Sequence, residues 1–412
     1  MAFSNTEEFP QIASFPSTHW PVAAMKEDDL YFYQEAVEAF LPGGRVKVEG
    51  HGEMLLLGGY SYLGLEGHWA LRTAALTALD QYGTGIQGSR LLAGTLSIHR
   101  KLEEKIAEFK GTEAALTFTS GFAANVSVIS AILGRHDTVI ADKLAHASLL
   151  DGCQLSRSRL LRFRHNDVAH LDELLAASDK SHRRLVVVDG VYSMDGDIAP
   201  LPAIAKACRR HGALLMVDEA HSVGMLGRTG HGIEEHFDLA PGTVDIKMGT
   251  LSKAIPASGA YIAGSRQLIE LLSHQAHAFV YSGALPPIQA AVALAALETL
   301  EAEPQRAERL HRNAAHFAAR LRQAGFDFRD SPSAIFPILC GDDRKALELA
   351  RGCQKRGLFI QAIIAPVVPQ GSARLRAVVT AAHQREDLDW AVEVLAEVAA
   401  EIGGILPERR AA

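Results

Sequence analysis

Cysteine is scarce in this chain of 412 residues: four are present, at positions 153, 208, 340 and 353, and no two form a C-x-x-C pair. That scatter argues against a disulfide framework and against a cysteine zinc site, and it suits a reducing cytoplasm. Basic runs are missing too, and the formal net charge is −7, which argues against nucleic acid as a partner. No uninterrupted apolar segment is long enough to span a bilayer. The opening MAFSNTEEFPQIASFPSTHW carries acidic residues and lacks an apolar core of signal-peptide length. With 48% hydrophobic and 22% charged residues, the expectation is a globular protein of two or three structural units around a large core.

A further absence disposes of a tempting motif. The stretch YGTGIQGSR (82–90) holds a complete G-x-G-x-x-G in Gly83, Gly85 and Gly88. As a dinucleotide fingerprint it requires a buried strand before the first glycine. The preceding ALRTAALTALDQ (70–81) is rich in Ala and Leu and reads as a helix. The match therefore fails its own condition as an NAD site.

What is present is an alternation. After a polar lead, KEDDLYFYQEAVEAFL (26–41) reads as one short helix, and RVKVEGHGEMLLLGGYSYLGL (45–65) as a Gly-rich hairpin. Apolar strands then follow at AALTFT (114–119), TVIAD (138–142), RLLRF (159–163), RLVVVDG (184–190), ALLMVDE (213–219), DIKMGTL (245–251) and GAYIAGS (259–265). Helical stretches such as LSIHRKLEEKIAEF (96–109) and LPAIAKACRRHG (201–212) lie between them. Strands apolar throughout and separated by helices imply an α/β fold with a mostly parallel seven-stranded sheet covered on both faces. Past residue 287 an Ala/Leu-rich helical pattern leads into a smaller α/β unit, with no Ser/Gly linker. The expected division is an N-terminal segment over 1–58, a large domain over 59–290 and a small C-terminal domain over 291–412.

Chemistry in such a sheet gathers at the carboxyl ends of strands. Ser120, Gly121 and Phe122 open a helix, where free N–H groups favour a phosphate, although an ordinary strand-to-helix turn looks the same. His146 stands at another such junction, as a cap or as a functional ring, and Ser193 sits in a turn. Asp218 and Glu219 end an apolar strand and His221 follows. A carboxylate there is costly unless paired, so it faces a cation or caps a helix. Thr250, Ser252 and Lys253 end the next strand, the lysine either solvated or desolvated enough to act as a nucleophile. Together these groups suit pyridoxal phosphate, which needs a phosphate cup, a ring partner, an acid under its ring nitrogen and an amine for a Schiff base. The cup would be Ser120, Gly121, Phe122, Thr250 and Ser252, and Asp218 the acid. His146 would stack on the ring, His221 would bond the phenolic oxygen, and Lys253 would be the amine.

These motifs resemble the α-oxoamine synthases among the fold-type I (aspartate aminotransferase-like) pyridoxal-phosphate enzymes. The resemblance runs from about residue 60 to 383 through YLGL (62–65), GSRLLAGTLSIHRKLEEKIAEFKG (88–111), FTSGFAANVSVI (118–129), DKLAHASLLDG (142–152), DGVYSMDGDIAPL (189–201), VDEAHSVGMLG (217–227), TLSK (250–253), YSGALPP (281–287) and RLRAVVTAAH (374–383). It implies Lys253 as the Schiff-base lysine and natural base for the α-proton, Asp218 as the pyridinium partner, and His146 against the ring. It also implies His221 and Ser193 near the phenolic oxygen and Ser282 reaching the other subunit's phosphate in a homodimer with sites at its interface. Arg376 falls where an arginine grips the amino-acid carboxylate. The implied reaction is a decarboxylative Claisen-type condensation of an amino acid with an acyl thioester of coenzyme A or a carrier protein, giving an α-aminoketone.

Two departures stand out. Where the family reads Asn-Tyr-Leu-Gly, this chain has Ser61-Tyr62-Leu63-Gly64, so Ser61 replaces a usual contact to the substrate carboxylate. After the lysine, a usually Gly-rich stretch reads AIPASGAYIAG (254–264), with Pro256. Both favour a specialised-metabolite or lipid-forming synthase over the alternative, 8-amino-7-oxononanoate synthase of biotin biosynthesis. An aminotransferase comes after both.

Overall fold

The computed structural model describes residues 22–406. The polar lead, and with it the expectation that no signal peptide is present, lies outside the described residues. Three strands come first: β1 (Val37–Leu41), β2 (Arg45–Val48) and β3 (Gly52–Leu56), paired antiparallel in sequence. The hairpin expected over 45–65 is β2–β3. The helix expected over 26–41 is not there: the helix runs Val22–Glu27, and VEAFL is strand β1. Asp29 at φ 55° and Gln34 at φ 72° break any helix between the two. Pairing with β2 across a turn containing Gly43 and Gly44, both at positive φ, then overrides the helix propensity of Glu and Ala.

The central sheet comprises β4 (Ala114–Phe118), β5 (Thr138–Asp142), β6 (Arg159–Phe163), β7 (Arg184–Asp189), β8 (Leu214–Asp218), β9 (Ile246–Ser252) and β10 (Pro256–Gly264), in spatial order β4-β10-β9-β8-β7-β5-β6. All seven expected strands are present. Strands β5 to β9 pair parallel, while β10 runs antiparallel to both β9 and β4. Two antiparallel pairings restore direction, so the carboxyl end of β4 lies on the same edge as those of β5, β7, β8 and β9. Chain direction alone therefore gathers these five strand ends at one rim, with that of β6 beside them.

Alternation along the strands builds a core on each face. Leu215, Val217, Val186, Val188 and Ile140 join one apolar cluster, whereas Met216, Leu185, Val187, Val139 and Ala141 join the other. Because both faces are covered, β7 reads RLVVVD with every residue buried. The glycine-rich stretch follows a helix, Trp69–Tyr82, as the sequence implies.

A second unit holds β11 (Ile335–Gly341), β12 (Leu358–Phe359), β13 (Gln361–Ile363) and β14 (Ala373–Val378). Three of these form the sheet β11-β14-β13, and β12 pairs parallel with β3. Its core takes in Met25, Leu30, Leu55 and Leu57 together with Phe336, Leu375 and Leu395. The N-terminal strands thus pack with the second unit. The expected cut at residue 290 falls inside the helix Pro287–Ala302, whose Ala290, Ala293 and Leu297 pack in the large unit's core.

Candidate active site

The five strand ends and the loops after them enclose a pocket of about 180 Å³. Beyond β4, Ser120 is extended and its hydroxyl accepts from the Ala123 N–H at 3.2 Å, capping the helix Gly121–Ile132. Ser120 is thereby engaged as a cap and does not line the pocket, whereas Gly121 and Phe122 do. So do Thr250 and Ser252, whose hydroxyls lie 2.8 Å apart. A Cβ on Gly121 would come within 2.8 Å of the Met248 methyl, so the glycine keeps this corner open. A helix start with free N–H groups, a glycine and two hydroxyls is a place for phosphate.

The acidic wall is Asp218, 4% exposed. One oxygen accepts from Asn125 Nδ2 at 2.7 Å and the other from the Ala220 N–H at 2.9 Å. The cation expected opposite this strand end goes instead to its neighbour: Lys110 Nζ pairs with Glu219 at 2.6 Å. Asp218 is thus supported by neutral donors and keeps lone pairs free for a cationic ring N–H. From Asn125 the bonding continues to Ser148 Oγ at 2.9 Å and on to His146 Nδ1 at 2.7 Å. Because Ser148 accepts from Asn125, its hydroxyl donates to His146. Nδ1 also accepts from the Ser148 N–H, at 3.3 Å, so the neutral ring carries its proton on Nε2. Burial lowers the His146 pKa and keeps the ring neutral. Its backbone N–H donates to Asp189 at 2.9 Å, and burial, then the nearby Asp218, push the Asp189 carboxyl well above its ordinary range.

Opposite stands Lys253. Burial brings its pKa down to about 8, partly offset by Asp218. Its Nζ lies 2.9 Å from His221 Nε2, and His221 Nδ1 lies 2.6 Å from the Tyr62 hydroxyl. Burial, then the Lys253 charge, hold His221 well below its ordinary pKa. An amine with a pKa of about 8 keeps a neutral fraction of about a tenth at pH 7, rising to about half at pH 8, and that fraction is the form that adds to a carbonyl.

Arg376, on β14, enters from the second unit. Its Nε donates to the Ser193 carbonyl at 2.6 Å, its guanidinium lies 5.2 Å from the Tyr60 ring centre, and its Nη2 is buried with no hydrogen-bond partner. Lys253 Nζ lies 5.7 Å from the same ring. Ser193 thus joins the site through its carbonyl. Ser61 lines a separate cavity of about 470 Å³ beside Thr380 and Ala382, and its buried hydroxyl has no partner. Ser282 lies in the loop that bridges Gly283 to Ser89, away from this chain's own pocket. Sequence reasoning passed over Asn125, Ser148, Asp189, Tyr60 and Tyr62. Asn125, four residues into an apolar helix, was the available signal, since a buried amide needs partners.

Pyridoxal phosphate fits these residues: a glycine-held anion corner, an acid with spare acceptor capacity, a partly neutral lysine and an unpartnered arginine nitrogen. Two larger hollows, of about 700 and 750 Å³, contain no lysine among their linings. Residues 52–395 match the model of the aminotransferase class I and II family. The chain belongs to that family. It is similar to the 8-amino-7-oxononanoate synthase of Geobacter sulfurreducens, 46% identical over 92% of this chain and 97% of that one. Among solved structures it is similar to the serine palmitoyltransferase of Sphingomonas wittichii (TM-score 0.90, 31% identity, 98% and 100% of the chains). It is also similar to a high-resolution structure of SPT with a PLP internal aldimine (TM-score 0.90, 29% identity, 97% and 99%). This aminotransferase-family chain is a fold-type I, pyridoxal-phosphate-dependent α-oxoamine synthase. Among its described residues no helix is long and apolar enough to cross a membrane.

Proposed function

We propose that the chain forms 8-amino-7-oxononanoate. The observation that carries this is the 46% identity to the Geobacter enzyme of that name over nearly the whole of both chains. That name defines the bond to be made: an amino group at carbon 8 beside a ketone at carbon 7 dissects into alanine and a seven-carbon dicarboxylic acyl thioester. Carbon dioxide and the thiol leave. This is the reading the Ser61 and Pro256 departures had ranked second. A serine-and-palmitoyl reading is favoured instead by the shape match to serine palmitoyltransferase.

When bound, pyridoxal phosphate supplies an electron sink for the pair released at the amino acid's α-carbon. The chain's residues do the rest. Gly121, Phe122, Thr250 and Ser252 hold the phosphate. Asp218, braced by Asn125, would keep a proton on the cofactor's ring nitrogen, and His146 would be its ring partner. Lys253 Nζ would be the amine that holds the cofactor's aldehyde carbon and the base that takes and returns the amino acid's α-proton, with His221 Nε2 beside it at 2.9 Å. Arg376 binds the carboxylate with the nitrogen that has no internal partner, and Ser61, which lines a separate cavity, leaves that contact to the arginine. A homodimer completes the site: Phe122 is 51% exposed, and Leu92 and Tyr281, flanking the loops of Ser89 and Ser282, are 82% and 80% exposed. These apolar surfaces call for a partner copy. Four free, buried cysteines fit a reducing cytoplasm.

The test is thiol release by purified holoenzyme from pimeloyl-CoA or palmitoyl-CoA, or from the pimeloyl carrier-protein thioester, with alanine or serine added. Release confined to alanine with a pimeloyl thioester is expected. Release confined to serine with palmitoyl-CoA would establish the second reading. Thioester cleavage indifferent to amino acid would end both.

A further inference from the structure

Behind the pocket, outside every group assigned above, lies a histidine clamped between two carboxylates. His165 Nδ1 donates to Asp142 Oδ1 at 2.9 Å and His165 Nε2 donates to Asp197 Oδ2 at 2.7 Å. With both ring nitrogens donating to carboxylates, the imidazole is a cation. Burial works against that charge, but the two carboxylates outweigh it and hold the pKa up at about 10.

Each carboxylate belongs to a different wall of the site. Asp142 is fully buried at the end of β5 and accepts from the Leu144 N–H at 2.7 Å, at the start of the loop that carries His146. Asp197 closes a tight turn in which Val191 bridges Ile198 and the Tyr192 N–H donates to the Asp197 carbonyl at 3.0 Å. Asn166, at φ 53°, ties both ends again through its N–H to Asp142 at 2.9 Å and its amide to Asp197 at 2.7 Å. The His165 ring meets the Tyr192 ring edge-on, 4.4 Å between centres. The next residue, Ser193, is the one whose carbonyl accepts from Arg376 Nε.

We propose that His165 is a positioning residue: by clamping the 191–198 turn to the end of β5, it fixes the Ser193 carbonyl and through it the aim of Arg376 at the substrate carboxylate. An arginine held at Nε by a rigid carbonyl keeps its remaining N–H groups pointed one way; if that carbonyl drifts, the fork loses its bidentate geometry. The inference rests on the reading of Arg376 as the carboxylate ligand.

The experiment uses holoenzyme and follows the cofactor's visible absorption while titrating L-alanine or ethylamine, which is alanine without its carboxylate. His165→Gln and, independently, Asp197→Asn are expected to raise the apparent Kd of alanine about tenfold, the worth of one misaligned charge-assisted bond. Both are expected to leave the ethylamine titration unchanged. Equal weakening of the two ligands would show general damage to the pocket and overturn the proposal, as would no change in either. Failure of both variants to fold would make the clamp purely structural and overturn it as well. Arg376→Gln separates the underlying reading: if alanine binds it as it binds wild type, the carboxylate role falls. If Arg376→Gln weakens alanine while His165→Gln does not, only the positioning role falls.

Discussion

Lys253 should make the cofactor-free protein less stable, and by an amount that depends on pH. Its pKa is about 8 in the folded protein, against the ordinary 10.5, chiefly through burial. Below pH 8 both folded and unfolded chains hold the proton, and the cost of burying the charge stands in full, roughly 3 kcal/mol. Above pH 8 the folded state releases its proton first. The unfolded chain then binds more protons, so wild-type stability rises with pH until the unfolded lysine also titrates near 10.5. Lys253→Met removes this term. It also leaves His221 Nε2 without its 2.9 Å partner, a pH-independent loss of about 1 kcal/mol. The methionine variant should therefore be about 2 kcal/mol more stable at pH 7, and this advantage should shrink by about 2.5 kcal/mol by pH 10. Urea unfolding of both cofactor-free proteins at pH 7, 8.5 and 10, at one protomer concentration, measures it. Over that range His221 is neutral in both, because burial holds it well below its ordinary pKa. A stability difference that stays flat from pH 7 to 10 would refute the desolvated lysine, and with it the account of how the amine is made nucleophilic.

Two other substitutions probe the walls. Asn125→Ala removes a charge-assisted bond to Asp218, worth roughly 1.5–3 kcal/mol, and should weaken cofactor binding about tenfold or more in equilibrium dialysis. Unchanged affinity would mean that Asn125 serves only to hold Ser148. Gly121→Ala places a methyl 2.8 Å from the Met248 methyl; that end of the side chain can give way, so Tm should move little while phosphate-dependent affinity falls. A comparison of pyridoxal phosphate with pyridoxal separates the two effects.

Much of this was legible in residue order. Strands β4, β5, β7 and β8 are short apolar runs between helices, and runs buried on both faces need no partner information to be recognised. The strand-end residues Asp218 and Lys253 were legible because a charged group at the end of an apolar run has few physical excuses. The stretch 26–41 was misread because helix propensity is a weak local term, and the pairing that made residues 37–41 a strand involves β2. Glu219 shows the same limit: the charge was visible, but its partner Lys110 is more than a hundred residues away in the chain.

By itself, then, the sequence determined the kind of fold, the rim at which chemistry gathers and the residue types that suit a phosphate-bearing aldehyde cofactor. These follow from periodicity and from the rule that strand ends in parallel sheets face one way. Only the tertiary structure decided which neighbour each polar group has. It gave Asp218 to Asn125, Glu219 to Lys110, Arg376 to the Ser193 carbonyl and Ser61 to a separate cavity. It also placed the glycine-rich stretch at 82–90 beside Ser282, through the bridge of Ser89 to Gly283, with open space around Gly83 and Gly85 in this chain. Hydrogen bonds between distant residues depend on ångström-scale placement, and no local pattern encodes that.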